Sequence, residues 1–193
     1  MPRKLRILVD GGVYHLISRG NNQLDILLVD GGYQRFKELL RLSKMKFSWK
    51  IYHYCFMPNH FHILAQIETG LDLPKIMRYL LREYSIWYRY QTKYTGYLWC
   101  GRYKNPLIDR DSYMLECGRY IERNPVRAGL AQGPGDYLWS SYRHYAHGIR
   151  DPLVDQDPNF DDIGTTLSEK QKRYQEFVEL VPGRYAVPFS TEL

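Results

Sequence analysis

The chain has 193 residues, of which 44% are hydrophobic and 25% charged, and this balance predicts a folded domain with a real core and excludes bulk disorder. No apolar run approaches the roughly 20 residues that span a bilayer, so no membrane segment is expected. The three cysteines (Cys55, Cys100 and Cys117) form no CxxC pair and leave one thiol unpaired, which favours a reduced, cytoplasmic protein.

Positive charge is concentrated in the larger part of the chain. The 27 basic and 21 acidic residues give a net charge of +6, but residues 150–193 hold 5 basic and 9 acidic residues. Residues 1–149 therefore hold 22 basic and 12 acidic residues, a net charge of +10. A net charge this positive is typical of domains that bind nucleic-acid phosphates. The 18 tyrosines in addition offer rings on which bases can stack. A basic protein charged only for solubility is the alternative that charge leaves open.

Apolar periodicity and turn residues predict elements in the order β-α-β-β-α-β-α. The predicted ranges are strand 13–18, helix 30–47 capped by Asp30, strands 49–56 and 60–67, helix 73–94, strand 102–108 and helix 111–124 capped by Asp111. Gly31 and Gly32 favour a late start for the first helix. The order resembles the split βαβ, ferredoxin-like pattern with an added helix. The expected class is therefore α+β, an antiparallel sheet with helices on one face.

The composition becomes acidic and contains prolines beyond residue 148. A further helix is expected from Ser168, where SEKQ has the pattern of a capping box, with Tyr174, Phe177 and Val178 in its apolar stripe. We interpret residues 149–193 as a helical appendage that packs on a body formed by residues 1–148, and not as a separate domain.

Two histidines share one face of the strand predicted at 60–67. Because alternate residues of a strand point the same way, His60 and His62 lie opposite the apolar Phe61 and Ile63. Their Cα atoms are then about 7 Å apart, and two neutral imidazoles so placed can bind one divalent metal. The alternative is a pair of surface histidines beside a turn.

A tyrosine and an asparagine lie one turn apart on the helix predicted at 111–124. At about 100° per residue, Tyr120 and Asn124 are only about 40° apart around the helix axis. An amide oxygen can be a third metal ligand beside two imidazoles, and a phenol becomes a nucleophile when a nearby cation favours its ionised form. The alternative is a packed tyrosine beside an ordinary residue at a helix end.

Five segments in one order resemble the single-tyrosine HUH transposases. MPNHFHIL (57–64) resembles the HUH motif of two histidines around a hydrophobic residue, and RYIERNPVRAGL (119–130) resembles the tyrosine helix. YHLISRGNN (14–22), GRYKNPLI (101–108) and WSSYRHY (139–145) follow the order and spacing of that family. The nearest branch is the REP-associated tyrosine transposases, and the resemblance covers about residues 13–148.

The resemblance implies an HUH endonuclease fold that cleaves and rejoins single-stranded DNA, often beside a hairpin. It implies Tyr120 as the nucleophile and His60, His62 and Asn124 as ligands of Mg²⁺ or Mn²⁺, while the ligand types also allow Zn²⁺. It further implies a 5′-phosphotyrosine and a free 3′-hydroxyl as cleavage products. Because relatives in mobile elements act as dimers, a homodimer is a further expectation.

The helix predicted at 73–94 carries a basic stripe opposite its apolar arc. The stripe consists of Lys75, Arg78, Arg82, Arg89 and Lys93. A solvated helix face usually mixes charges, so a run of one sign favours contact with DNA phosphates over a plain exposed face. Arg102 and Lys104, in the GRYKNPLI segment, are further DNA-binding candidates.

The function that these features favour is metal-dependent cleavage and strand transfer of single-stranded DNA through a phosphotyrosine, a transposase reaction. The phosphodiester energy is retained in that bond, which agrees with the absence of a GxxxxGK[ST] motif for nucleotide hydrolysis. Two alternatives stay open. One is a non-catalytic module of the same fold that binds hairpins, and the other is a metallohydrolase that uses the two histidines with water.

Overall fold

The computed structural model describes residues 6–108 and 112–180. Its strands are β1 (Gly12–Arg19), β2 (Trp49–Met57), β3 (His60–Ile67) and β4 (Leu107–Ile108). Its helices are α1 (Gly32–Lys46), α2 (Leu73–Thr92), α3 (Ser112–Glu122), α4 (Asn124–Arg127), α5 (Tyr142–His147), α6 (Pro158–Asp161) and α7 (Leu167–Glu179). None of the helices in the described ranges is both long and apolar enough to cross a membrane.

The strands form one sheet in the order β2-β3-β1-β4, with every neighbouring pair antiparallel. This is the strand order of a ferredoxin-like split βαβ unit, and it confirms the predicted α+β class. β2 and β3 form a hairpin, with Met57 opposite His60. β1 pairs with β3 along its whole length, so the residues of β1 and β3 that face the same side lie next to each other.

Helices α1 and α2 cover one face of the sheet, as expected. The main core lies between them and the sheet, where Phe36 of α1 and Phe61 of β3 have ring centroids 4.7 Å apart. The expectation of helices on one face does not extend to α3, which packs on the opposite face through Met114, Cys117 and Ile121. This second layer forms because β2 and β3 have apolar residues on both of their faces.

Several element boundaries differ from the predicted ones. α1 does begin late, as Gly31 and Gly32 favoured, but its N-cap is Gly31, with a left-handed φ of 69°, so the predicted cap at Asp30 is wrong. β4 has only two residues of the predicted seven, because Pro106 has no N–H to donate to a strand ladder. The cap of α7 is Thr166, which accepts a hydrogen bond from the backbone N–H of Glu169, so the predicted capping box is displaced by two residues.

The predicted cap at Asp111 lies outside the described residues. The helix that follows does end ahead of Pro125, since α3 stops at Glu122 and the chain continues into the short α4.

Residues 139–155 run along the outer edge of β2 and bind its backbone. The bonds are Phe56 N–H to Trp139 O, Ser141 N–H to Tyr54 O, Asp155 N–H to Ile51 O, and the Tyr145 hydroxyl to Tyr52 O, at 2.7–3.0 Å. Leu153 also enters the main core. The division of the chain at residue 148 stays a prediction, because these contacts extend across it.

A buried ionic cluster joins β2, α3 and the C-terminal segment. His53 contacts Glu122 through Nδ1 and Asp157 through Nε2, each at 3.0 Å, with all three side chains fully buried. Burial alone would lower the pKa of His53, but the two carboxylates raise it to about 9, so the ring is a cation at neutral pH. Glu122 also accepts a hydrogen bond from the hydroxyl of Tyr174 at 2.7 Å. The cluster therefore holds the helix that carries Tyr120.

Candidate active site

Three histidines lie together on the sheet face that α3 covers. His60 and His62 have ring centroids 5.0 Å apart, with their planes at 82°. His15 of β1 lies beside them, its ring centroid 5.0 Å from that of His62. The sequence predicted the shared face of His60 and His62, but it did not single out His15.

Tyr120 reaches this histidine group from α3. Its ring is edge-on to His62 at 5.9 Å and to His15 at 6.0 Å between centroids. The position follows from the apolar residues of α3, since Cys117 and Ile121 belong to the same buried cluster as Leu64 of β3. The structure therefore brings together Tyr120, His62 and His15, which are far apart in the sequence.

The hydrogen bonds of His60 and His62 leave one ring nitrogen of each available. His60 donates from Nδ1 to the side-chain oxygen of Asn59 at 2.6 Å, and Asn59 donates from its amide nitrogen to Gln23 O at 3.3 Å. The bond to Gln23 fixes the orientation of the Asn59 amide, so His60 Nδ1 carries the hydrogen and Nε2 carries a lone pair.

In His62, Nδ1 lies 2.9 Å from His15 Nε2. Its Nε2 is buried and has no hydrogen-bond partner among the residues that the structure describes. A buried nitrogen left unpaired is unfavourable, so a further partner is expected at this position.

The imidazoles are in the form that binds metals. Burial and, second, Arg19 lower the pKa of His60 to about 4, and burial lowers that of His15 to about 3. Burial, and after it the neighbouring His15, His60 and Arg127, lower the pKa of His62 well below its ordinary value. All three rings are therefore neutral near pH 7, the state in which an imidazole nitrogen donates to a metal.

Asn124 stands one turn beyond Tyr120, at the start of α4. Its amide nitrogen donates to Tyr120 O at 2.8 Å and to Ile121 O at 3.3 Å, which leaves the amide oxygen as the atom that can accept or ligate. No group of three or more His, Cys, Asp or Glu residues able to hold a metal occurs within residues 6–108 and 112–180. The ligand set predicted from the sequence, two imidazole nitrogens and one amide oxygen, stays a prediction.

Two arginines beside the histidines were not identified from the sequence. Arg19 lies directly across from His60 in the sheet, and its buried Nε has no partner among the described side chains and backbone atoms. The guanidinium of Arg127 lies 5.1 Å from the centroid of the Tyr120 ring. Directly paired residues of neighbouring strands point to the same face, so the pairing of Arg19 with His60 puts Arg19 on the histidine face. The sequence alone does not give this pairing of β1 with β3.

The residues predicted to bind DNA divide between the two faces of the sheet. Lys104 pairs with Ile17, which in turn pairs with His62. Lys104 is therefore on the sheet face that carries the histidines, and its backbone is two strand spacings, about 10 Å, from that of His62. Arg102 is exposed in the loop before β4.

The basic stripe of α2 is exposed on the layer that covers the opposite face. Its last member, Lys93, lies one residue beyond the helix, because α2 ends at Thr92 and not at the predicted residue 94. Two of its members have carboxylate partners: Lys75 pairs with Asp72 and Arg82 with Glu83.

The chain matches one family model and several solved structures, among them two transposases. A family model described as "Transposase IS200 like" matches residues 9–124. The structure of a REP-associated tyrosine transposase bound to a REP hairpin superposes with a TM-score of 0.67 at 19% identity, covering 81% of this chain and 93% of that one. A putative transposase from Deinococcus radiodurans R1 has a TM-score of 0.43 at 21% identity, covering 63% of this chain and 97% of that one. Comparison with curated protein sequences gives no match.

Proposed function

The chain belongs to the IS200-like transposase family, and from this premise we propose that it cleaves and rejoins single-stranded DNA through a covalent bond to Tyr120. The observation that carries the proposal is the edge-on approach of the Tyr120 ring to His62 at 5.9 Å. A hydroxyl nucleophile beside two neutral imidazoles that can bind a metal is an arrangement suited to metal-assisted phosphoryl transfer.

In this proposal, His60 and His62 bind a divalent metal through their Nε2 atoms, and Asn124 binds it through its amide oxygen. When bound, Mg²⁺ or Mn²⁺ would polarise the scissile phosphate, and binding measurements with each ion decide between these metals and Zn²⁺. Arg19 and Arg127 add positive charge beside the histidines and the tyrosine, where the transferred phosphate would carry negative charge.

The proposed reaction exchanges one phosphate ester for another. Tyr120 Oη attacks phosphorus, the bond from phosphorus to the 3′-oxygen breaks, and the phenol proton is lost while the leaving 3′-oxygen gains one. DNA is then joined to the enzyme as a 5′-phosphotyrosine. Attack by a second 3′-hydroxyl reverses these changes and releases Tyr120, so rejoining needs no nucleotide hydrolysis.

The proposed substrate is single-stranded DNA that carries a hairpin. Its support is the fold shared with a transposase whose structure contains a REP hairpin, together with the net charge of +10 on residues 1–149. Arg102 and Lys104 would bind phosphates on the active-site side, and the α2 stripe would bind phosphates of DNA that extends past the sheet. Every proposed catalytic residue lies within residues 1–148, the part interpreted as the catalytic body, and the homodimer stays a prediction.

The experiment that tests the proposal is detection of a covalent protein–DNA adduct. The protein is incubated with hairpin-bearing single-stranded DNA and Mn²⁺, and the products are separated on a denaturing gel. We expect an adduct whose modified peptide contains Tyr120, and we expect Tyr120→Phe to abolish it while hairpin binding is retained. Tyr113→Phe, on the same helix, is the matched control and should retain the adduct.

The two alternatives give different products. Hydrolysis without an adduct would favour the metallohydrolase, and binding without either product would favour the non-catalytic module. An adduct of full yield in Tyr120→Phe would contradict the assignment of the nucleophile.

A further inference from the structure

A hydrogen bond between two buried imidazoles connects β1 to the proposed metal site. His15 Nε2 and His62 Nδ1 are 2.9 Å apart, and the two side chains are 0% and 1% exposed. Their rings are tilted by 31°. None of the roles proposed above uses His15.

The bond is compatible with two arrangements of hydrogens. Each neutral imidazole has one N–H and one lone pair, so either His62 Nδ1 donates to His15 Nε2, or His15 Nε2 donates to His62 Nδ1. In the first arrangement His62 Nε2 has a lone pair, and in the second it carries a hydrogen. Only the first arrangement leaves His62 able to bind a metal through the buried Nε2 that has no partner among the described residues.

We propose that His15 is a positioning residue, which accepts a hydrogen bond from His62 Nδ1 and so keeps the lone pair of His62 on Nε2. The inference rests on the proposed metal site. Asn59 has the same relation to His60, whose Nδ1 donates to the Asn59 side-chain oxygen at 2.6 Å. Metal-binding histidines generally donate their second ring N–H to such an acceptor, which fixes the tautomer and the orientation of the ring.

Two substitutions of His15 distinguish the effect of its hydrogen-bond acceptor from the effect of its ring shape. His15→Phe retains a planar ring but removes the acceptor. His15→Gln retains an oxygen acceptor near the position of Nε2. His144→Phe is the matched control, because His144 is half-buried outside the site. His15→Leu is a second acceptor-free variant if His15→Phe does not fold by circular dichroism.

The first measurement is made on the metal-free protein. Long-range ¹H–¹⁵N spectra of protein labelled at histidine report which ring nitrogen carries the hydrogen, with His62 assigned by its loss in His62→Ala. We expect hydrogen on Nδ1 of His62 in the wild type and in His15→Gln. In His15→Phe we expect the hydrogen to move to Nε2 in part of the molecules.

The second measurement is Mn²⁺ affinity by calorimetry. We expect His15→Phe to weaken binding by about 10- to 100-fold, as is typical when an outer partner of a metal ligand is removed. His15→Gln should recover most of that affinity, and His144→Phe should bind as the wild type does.

Two results would overturn the inference: hydrogen on Nε2 of His62 in the wild type, or a tautomer and an affinity that do not change in His15→Phe. The proposed function fails separately, if Mn²⁺ affinity is unchanged in both His60→Ala and His62→Ala. The spectra of the metal-free protein decide the role of His15 in that case as well.

Discussion

The hydroxyl of Tyr174 on α7 donates to the carboxylate of Glu122 on α3, at 2.7 Å and in a fully buried position. Glu122 lies two residues after the proposed nucleophile and also contacts His53. Helix α7, through Tyr174, and strand β2, through His53, thus both bind the carboxylate of Glu122. Arg123 reinforces the connection, because its guanidinium donates to the carbonyl oxygens of Val178 and Glu179. The proposed catalytic tyrosine is therefore positioned from both sides of α3.

The charge on His53 predicts a loss of stability at alkaline pH. The pKa of His53 is raised from an ordinary value near 6.5 to about 9, so its ionic contribution to the free energy of unfolding is fully present below about pH 6.5. That contribution, on the order of 3 kcal/mol for a shift of this size, is lost as the pH rises through 9. Tyr174 does not titrate in this range, because burial raises its pKa well above the ordinary value.

Urea unfolding at a series of pH values from 6 to 10 measures this effect. Asp157→Asn removes one of the carboxylates that raise the pKa of His53, so we expect its decline to begin at lower pH. Asp161→Asn changes an exposed carboxylate of the same segment and should follow the wild type. A wild-type stability that is flat between pH 6.5 and 9.5 would contradict a charged His53.

Gly118→Ala is expected to displace the tyrosine helix. A Cβ atom at Gly118 would lie 2.8 Å from three atoms of the His53 ring, which is itself held by two carboxylates. Overpacking of this kind costs about 1–3 kcal/mol, measurable as a lower free energy of unfolding, and adduct yield should fall because α3 also carries Tyr120. Gly133→Ala, whose Cβ meets only the end of the Asp136 side chain at 3.4 Å, should be near wild type. Wild-type stability in Gly118→Ala would show that α3 tolerates the shift.

The proposed ligand set predicts a graded decrease of metal affinity. His60→Ala and His62→Ala each remove a nitrogen ligand, so we expect calorimetric Mn²⁺ affinity to fall by more than the roughly 100-fold that marks removal of an outer partner. Asn124→Ala should weaken binding less, because water can replace an amide oxygen. The exposed His147→Ala is the control. Equal affinities in the wild type and both histidine variants would make His60 and His62 ordinary buried histidines.

The α2 stripe predicts binding to DNA that does not depend on sequence. Arg82→Ala with Arg89→Ala should weaken binding to all hairpins alike and flatten the salt dependence by up to about 0.7 for each phosphate that the protein no longer neutralises. Cleavage of bound DNA should be unchanged, since the sheet separates the stripe from Tyr120. The control is Arg41→Ala with Arg173→Ala, which also removes two positive charges, but from exposed ion pairs outside the stripe. Matching salt slopes in the two double variants would exclude a specific role for the stripe.

Periodicity in the sequence predicted the strands, the long helices and the shared face of His60 and His62, because these depend on spacing within one element. His15 and Arg19 were missed because they join the site only through the pairing of β1 with β3, and register between distant strands leaves no local signal. β4 is shorter than the predicted strand because Pro106 has no N–H to donate to a strand ladder. The ionic cluster at His53 was also missed, since Glu122 and Asp157 are far apart in the sequence and neither has a local motif.

The bonds between residues 139–155 and β2 also protect the sheet from other chains. β2 is an outer strand, and its free N–H and C=O groups would otherwise form an open template for pairing with a strand of another molecule. Phe56, Tyr54 and Ile51 each bond to this segment instead. At the other edge, β4 is only two residues long and offers little to pair with. A chain that ends before residue 139 would therefore expose the long apolar edge of β2, and we expect it to self-associate into aggregates.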